Sequence, residues 1–70
     1  MLSIGMKVQL ISLPVSNHSG HEVGEFYRVT RSPFQDGSLR FVVVTRNKTG
    51  TTHVIQAQRF VPANSNQGDD

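Results

Sequence analysis

Leu39-Arg40-Phe41-Val42-Val43-Val44-Thr45-Arg46 runs into Asn47-Lys48-Thr49-Gly50 and out again through Thr51-Thr52-His53-Val54-Ile55-Gln56. The two flanking segments are crowded with β-branched and aromatic residues, which fit a pleated, half-buried surface. The middle segment is a tight turn in which Gly50 can supply the positive φ that a hairpin requires. The stretch therefore predicts two paired strands, the first of them the strongest strand signal in the chain.

The pattern extends in both directions. Upstream, Lys7-Val8-Gln9-Leu10-Ile11 alternates apolar with polar residues and predicts a first strand over about 6–12, closed by Leu13-Pro14. Ser16-Asn17-His18-Ser19-Gly20-His21 reads as a polar loop, and Glu25-Phe26-Tyr27-Arg28-Val29-Thr30-Arg31 as a second strand. Ser32-Pro33-Phe34-Gln35-Asp36-Gly37-Ser38 has the Pro and Asp-Gly chemistry of a loop. Downstream, Ala57-Gln58-Arg59-Phe60 predicts one short helical turn and Val61-Pro62 a last short strand. Residues 63–70 are Asn, Ser, Gln, Gly and Asp after Ala63, the composition of a disordered polar tail.

The chain has 70 residues, enough for one domain, assigned to 1–62. No window sustains a 3.6-residue apolar period, so no long amphipathic helix is expected. Five short strands in so short a chain predict an all-β fold whose sheet curls on itself as a small sandwich or barrel. Alternation places Val8, Leu10, Tyr27, Val29, Phe41, Val43, Ile55 and Phe60 in the core. Val42 and Val44 then point the other way, beside Arg40 and Arg46. With Phe26 they would form an apolar patch for a protein partner or a second copy. The alternative is a twist strong enough to bury both faces of that strand.

Absences narrow the chemistry. With no Cys there is no disulfide, thiolate nucleophile or Cys-based zinc site. No apolar run approaches the ~18 residues of a membrane-spanning helix. Met1-Leu2-Ser3-Ile4-Gly5-Met6-Lys7 lacks the regions of a signal peptide, which predicts a cytoplasmic protein. The net charge of +2 conceals a division. The seven cations, Lys7, Arg28, Arg31, Arg40, Arg46, Lys48 and Arg59, face only Glu22, Glu25 and Asp36 before the tail adds Asp69 and Asp70. A basic, Arg-rich body suits an anionic partner, and the alternative is a solvated cationic surface.

The run Val23-Gly24-Glu25-Phe26-Tyr27-Arg28-Val29, the Asp36-Gly37 turn, Phe41-Val42-Val43-Val44, the Gly50 turn, Val54-Ile55 and Ala57-Gln58-Arg59-Phe60-Val61 together resemble a family. It is the small Src-homology-3-like β-barrel proteins of bacteriophages and prophages. The resemblance covers about 7–62 and implies an SH3-like barrel of about five antiparallel strands with a short helical turn before the last. It also implies a virus-encoded accessory protein in the bacterial cytoplasm, binding host proteins, nucleic acid or nucleotide signals without catalysis. Recognition of Pro-rich peptides is not expected, because that groove needs Tyr and Trp ridges and this chain has one Tyr and no Trp.

Reactive constellations are sparse. His18-Ser19-Gly20-His21-Glu22 with His53 has ligand types for zinc, but a turn-rich loop predicts two exposed histidines instead. Ser19 with His21, or Thr52 with His53, offers nucleophile and base without diagnostic spacing, and no motif links Glu22, Glu25 and Asp36. Asn47-Lys48-Thr49-Gly50-Thr51-Thr52 has donors for a phosphate but is also an ordinary turn. The residues therefore predict a non-enzymatic binding module without cofactor or metal. Its anionic ligand, nucleic acid or nucleotide, would be held by Arg28, Arg31, Arg40 and Arg46, with Lys48 assisting. Phe34 would stack on a base or cap the barrel. A homo-oligomer would enlarge the surface, and the competing reading is an inhibitor of a host protein.

Overall fold

The computed structural model describes residues 2–63. Five strands form one antiparallel sheet: β1 (Lys7–Leu10), β2 (Phe26–Asp36), β3 (Leu39–Arg46), β4 (Thr52–Gln56) and β5 (Phe60–Pro62). Their order is β4-β3-β2-β1-β5, so the first four form a meander and β5 returns to pair with β1. A 3-10 turn at Ala57–Arg59 makes that return. This is the small SH3-like barrel predicted above, with the helical turn before the last strand. From Asn64 onward the expected tail lies outside the described residues.

The curled sheet closes around one cluster: Leu2, Val8, Leu10, Tyr27, Val29, Val42, Val44, Ile55 and Phe60. Six of the eight expected core residues are in it. Phe41 and Val43 are not, and Val42 and Val44, expected outside, are fully buried. The phase of β3 is thus opposite to the one expected. The reason is register. The turn Asn47–Gly50 sets Arg46 against Thr51, with the Arg46 N–H donating to the Thr51 carbonyl at 2.8 Å. That pairing brings Val42 opposite Ile55, while Val29 stands opposite Val44. Directly opposed residues share a face, so two core partners draw Val42 and Val44 inward. The proposed patch of Val42, Val44 and Phe26 consequently does not exist.

β2 also departs from expectation, because Ser32–Asp36 continues the strand instead of forming a loop. Pro33 is tolerated because it falls within the second of two register shifts, between Arg31 and Phe34, where the ladder demands no regular donor. The hairpin turns at Gly37, whose φ of 66° suits glycine. Exchanging the Val side chains for Ala tests the phase of β3. Val44→Ala should lower the free energy of unfolding by about 2 kcal/mol, and Val43→Ala by about half as much, in urea denaturation. Equal losses would place β3 in the other phase.

Candidate functional site

The register builds a surface on the outer face of the sheet, because opposed residues project together. Arg28 stands between Lys7 and Thr45, with Thr52 beyond. Arg31 opposes Val43, which opposes Val54. Phe34 opposes Phe41, which opposes Gln56. Phe26 opposes Gln9, which opposes Val61 at the edge. Along β2 this face thus runs Phe26, Arg28, Arg31, Phe34, two cations flanked by aromatic rings. The rings of Phe34 and Phe41 stack with centroids 5.9 Å apart and planes 29° from parallel. The Lys7 ammonium lies 4.5 Å from the centre of the Phe26 ring. Arg28 donates from Nη1 to the Gly5 carbonyl at 2.8 Å, which fixes its direction and leaves its other donors to solvent. By register, the acid of this face is Asp36, opposite Leu39 at the hairpin tip.

Three of the six expected binding residues, Arg28, Arg31 and Phe34, therefore meet on one exposed face. The other three lie elsewhere. Arg40 is exposed opposite Gln35 near the tip of the hairpin. Lys48 is exposed in the β3–β4 turn. There the Thr49 and Thr51 hydroxyls bond to each other at 2.6 Å, and Thr51 also bonds to His53 Nε2 at 2.7 Å. Arg46 follows Val42 and Val44 inward and is buried.

The interior end of the sheet holds what the sequence reading missed. Arg46 grips Glu25 with two bonds, from Nε to Oε1 at 2.7 Å and from Nη2 to Oε2 at 2.6 Å. It also donates to the Ser19 and Gly20 carbonyls, each at 3.0 Å. His21, expected in solvent, is buried, because Asn17 clamps its backbone from both sides at 2.8 Å. Its Nδ1 lies 2.5 Å from the hydroxyl of buried Tyr27. The His53 ring meets the His21 ring edge-on at 4.5 Å between centroids. The Arg46 bonds hold the Glu25 carboxyl down at about 2. Burial, with His53 and Arg46 nearby, lowers the pKa of His21, and burial raises that of Tyr27 to about 12. A neutral His21 ring offers Nδ1 as acceptor to the Tyr27 phenol.

One cleft of about 670 Å³ opens between the tip of the β2–β3 hairpin and the 3-10 turn. Among the described residues, no group of three or more His, Cys, Asp or Glu is placed to hold a metal ion. No described helix is long and apolar enough to cross a membrane. The chain matches no family model, no curated protein and no solved structure.

The buried network makes stability depend on pH in two steps. His21 protonates near 6.5 when unfolded and only at lower pH when folded. The unfolded chain therefore binds more protons below pH 6.5, and stability falls as pH drops from there. Glu25 adds a second loss between 4.5, its ordinary value, and about 2. Urea titrations from pH 8 to pH 2.5 should show both. His21→Gln should flatten the upper step and Glu25→Gln the lower, and a profile unchanged by either substitution would place the proton uptake elsewhere.

Proposed function

We propose that this protein is a non-catalytic binding module that sequesters single-stranded nucleic acid on the outer face of its sheet. The observation that carries the reading is the register that sets Lys7, Arg28 and Arg31 beside Phe26, Phe34 and Phe41 on the outer face. Arginine forks suit phosphate oxygens, and exposed aromatic rings offer bases a stacking surface. A single strand satisfies both at once, because its bases are free to leave their own stack. A duplex keeps its bases inside and would leave the Phe34–Phe41 platform without a partner. A free nucleotide is less suited to this face, since small ligands are held in concave sites. The resemblance to phage barrels supplies a setting: an accessory protein that holds a strand away from bacterial machinery by occupancy alone. Arg46 serves the reading indirectly, by fastening the loop beside the sheet.

Fluorescence anisotropy with a labelled oligo(dT) or oligo(U) strand tests this. Affinity should fall with salt at a log–log slope of about −2, as expected for three phosphate contacts to a single strand. Arg28→Glu with Arg31→Glu should weaken binding about a hundredfold, and Phe34→Ala should cost about 1–3 kcal/mol. Undiminished binding by the double charge reversal would overturn the assignment of the face. Absence of binding to DNA and RNA would turn the reading toward a protein partner.

A further inference from the structure

The cleft beside the hairpin tip has a different construction from the open sheet face. Its apolar wall comes from Leu2, Leu39 and Ala57, and its polar groups include Arg40, Gln56 and Gln58. Its volume lies within the range of small-molecule sites. Among the described residues, no carboxylate lines it. Arg40 therefore gives the cleft a positive wall.

The two glutamines narrow the ligand. Gln56 and Gln58 flank Ala57 at the start of the 3-10 turn, and all three line the cleft. A primary amide carries both donors and acceptors, the equipment needed to read the edge of a nucleobase. A fatty or aromatic carboxylate would need only the cation and the apolar wall. Gln56 also ends the row that begins with Phe34 and Phe41, so one cleft residue stands next to the stacking platform. We propose that this cleft binds one nucleoside monophosphate unit, with its phosphate on Arg40, its base against Leu39 and Ala57, and its base edge on the Gln56 and Gln58 amides. The unit is either a free mononucleotide or the phosphorylated end of the strand lying on the outer face, and the second source rests on the function proposed above.

Amide chemical shifts of the isotopically labelled protein locate the site. AMP, GMP, CMP and UMP are titrated beside their nucleosides and inorganic phosphate. At least one monophosphate should give saturable shifts at Ser38–Arg40 and Gln56–Gln58. The matching nucleoside and phosphate should each bind about tenfold more weakly or worse. Arg40→Gln, at an exposed position, should reduce the monophosphate to the affinity of its nucleoside. Gln58→Glu, also exposed, should weaken it further by placing an anion at the rim. Monophosphate binding unaltered by Arg40→Gln, or shifts confined to other residues, would overturn the proposal. An oligonucleotide with and without a 5′- or 3′-phosphate separates the two sources. A terminal phosphate that tightens binding in the parent and not in Arg40→Gln assigns the cleft to the strand end. Monophosphate binding in the cleft with no oligonucleotide binding at all would support the cleft and overturn the outer-face reading. Oligonucleotide shifts on the sheet face, with no monophosphate binding in the cleft, would do the reverse.

Discussion

The grip of Arg46 on Glu25 organises the part of this protein that hydrophobic burial cannot. The chain between β1 and β2 contributes little to the core: Ile11, Leu13, Val15 and Val23 are all exposed. A segment so poor in buried apolar surface needs polar anchors to offset the entropy of ordering it. Arg46 supplies them from the end of β3, holding the Glu25 carboxylate with two donors and the Ser19 and Gly20 carbonyls with others. The bidentate geometry matters, because a buried ion pair is favourable only when its remaining hydrogen-bonding capacity is met. Arg59 does similar work at the base of the loop, donating to Leu13 and Ser12.

Once the loop is fastened, His21 is carried over the core and caps Tyr27. The phenol of a fully buried tyrosine must find a partner, and in a chain this small the loop delivers it. The result is a continuous polar seam from Tyr27 through His21 and His53 to Thr51 at the surface. Loop order, tyrosine satisfaction and the charge state of one histidine are consequently linked, because protonating His21 removes the acceptor that the Tyr27 phenol uses.

Much of this architecture was legible in the residues. The bounds of β3 match the apolar run that announced it, and the helical turn at Ala57 falls where Ala57-Gln58-Arg59 placed it. The phase of β3 was the principal miss. Four consecutive apolar residues, Phe41 to Val44, carry no alternation, and the size of Phe41 favours the wrong pair. The turn already held the answer. Pairing Arg46 with Thr51 across Asn47–Gly50 puts Val42 opposite Ile55, so accepting Ile55 as core required accepting Val42. The same pairing turns Arg46 inward, where a buried guanidinium requires a carboxylate. Glu25 and His21 were harder, since their burial depends on a loop path that no local pattern specifies. At the candidate site, Arg28, Arg31 and Phe34 were found by residue type, but their common face emerges only from the ladder.

That common face depends on an irregularity. Tyr27 and Val29 point inward, so strict alternation would send Arg31 into the core after them. The register shift between Val29 and Arg31 instead brings Arg31 opposite Val43, on the outer side with Arg28. The second shift, between Arg31 and Phe34, returns Phe34 to the same side, opposite Phe41. Each shift gives up regular hydrogen bonding in the ladder, and neither adds a residue to the core. What they produce is a cation and an aromatic ring aligned on one surface with Lys7, Arg28 and Phe26. β-Bulges re-aim side chains, and here the re-aimed ones are Arg31 and Phe34. The distorted half of β2 thus decides which side chains the outer face presents, while the core takes only Tyr27 and Val29 from this strand.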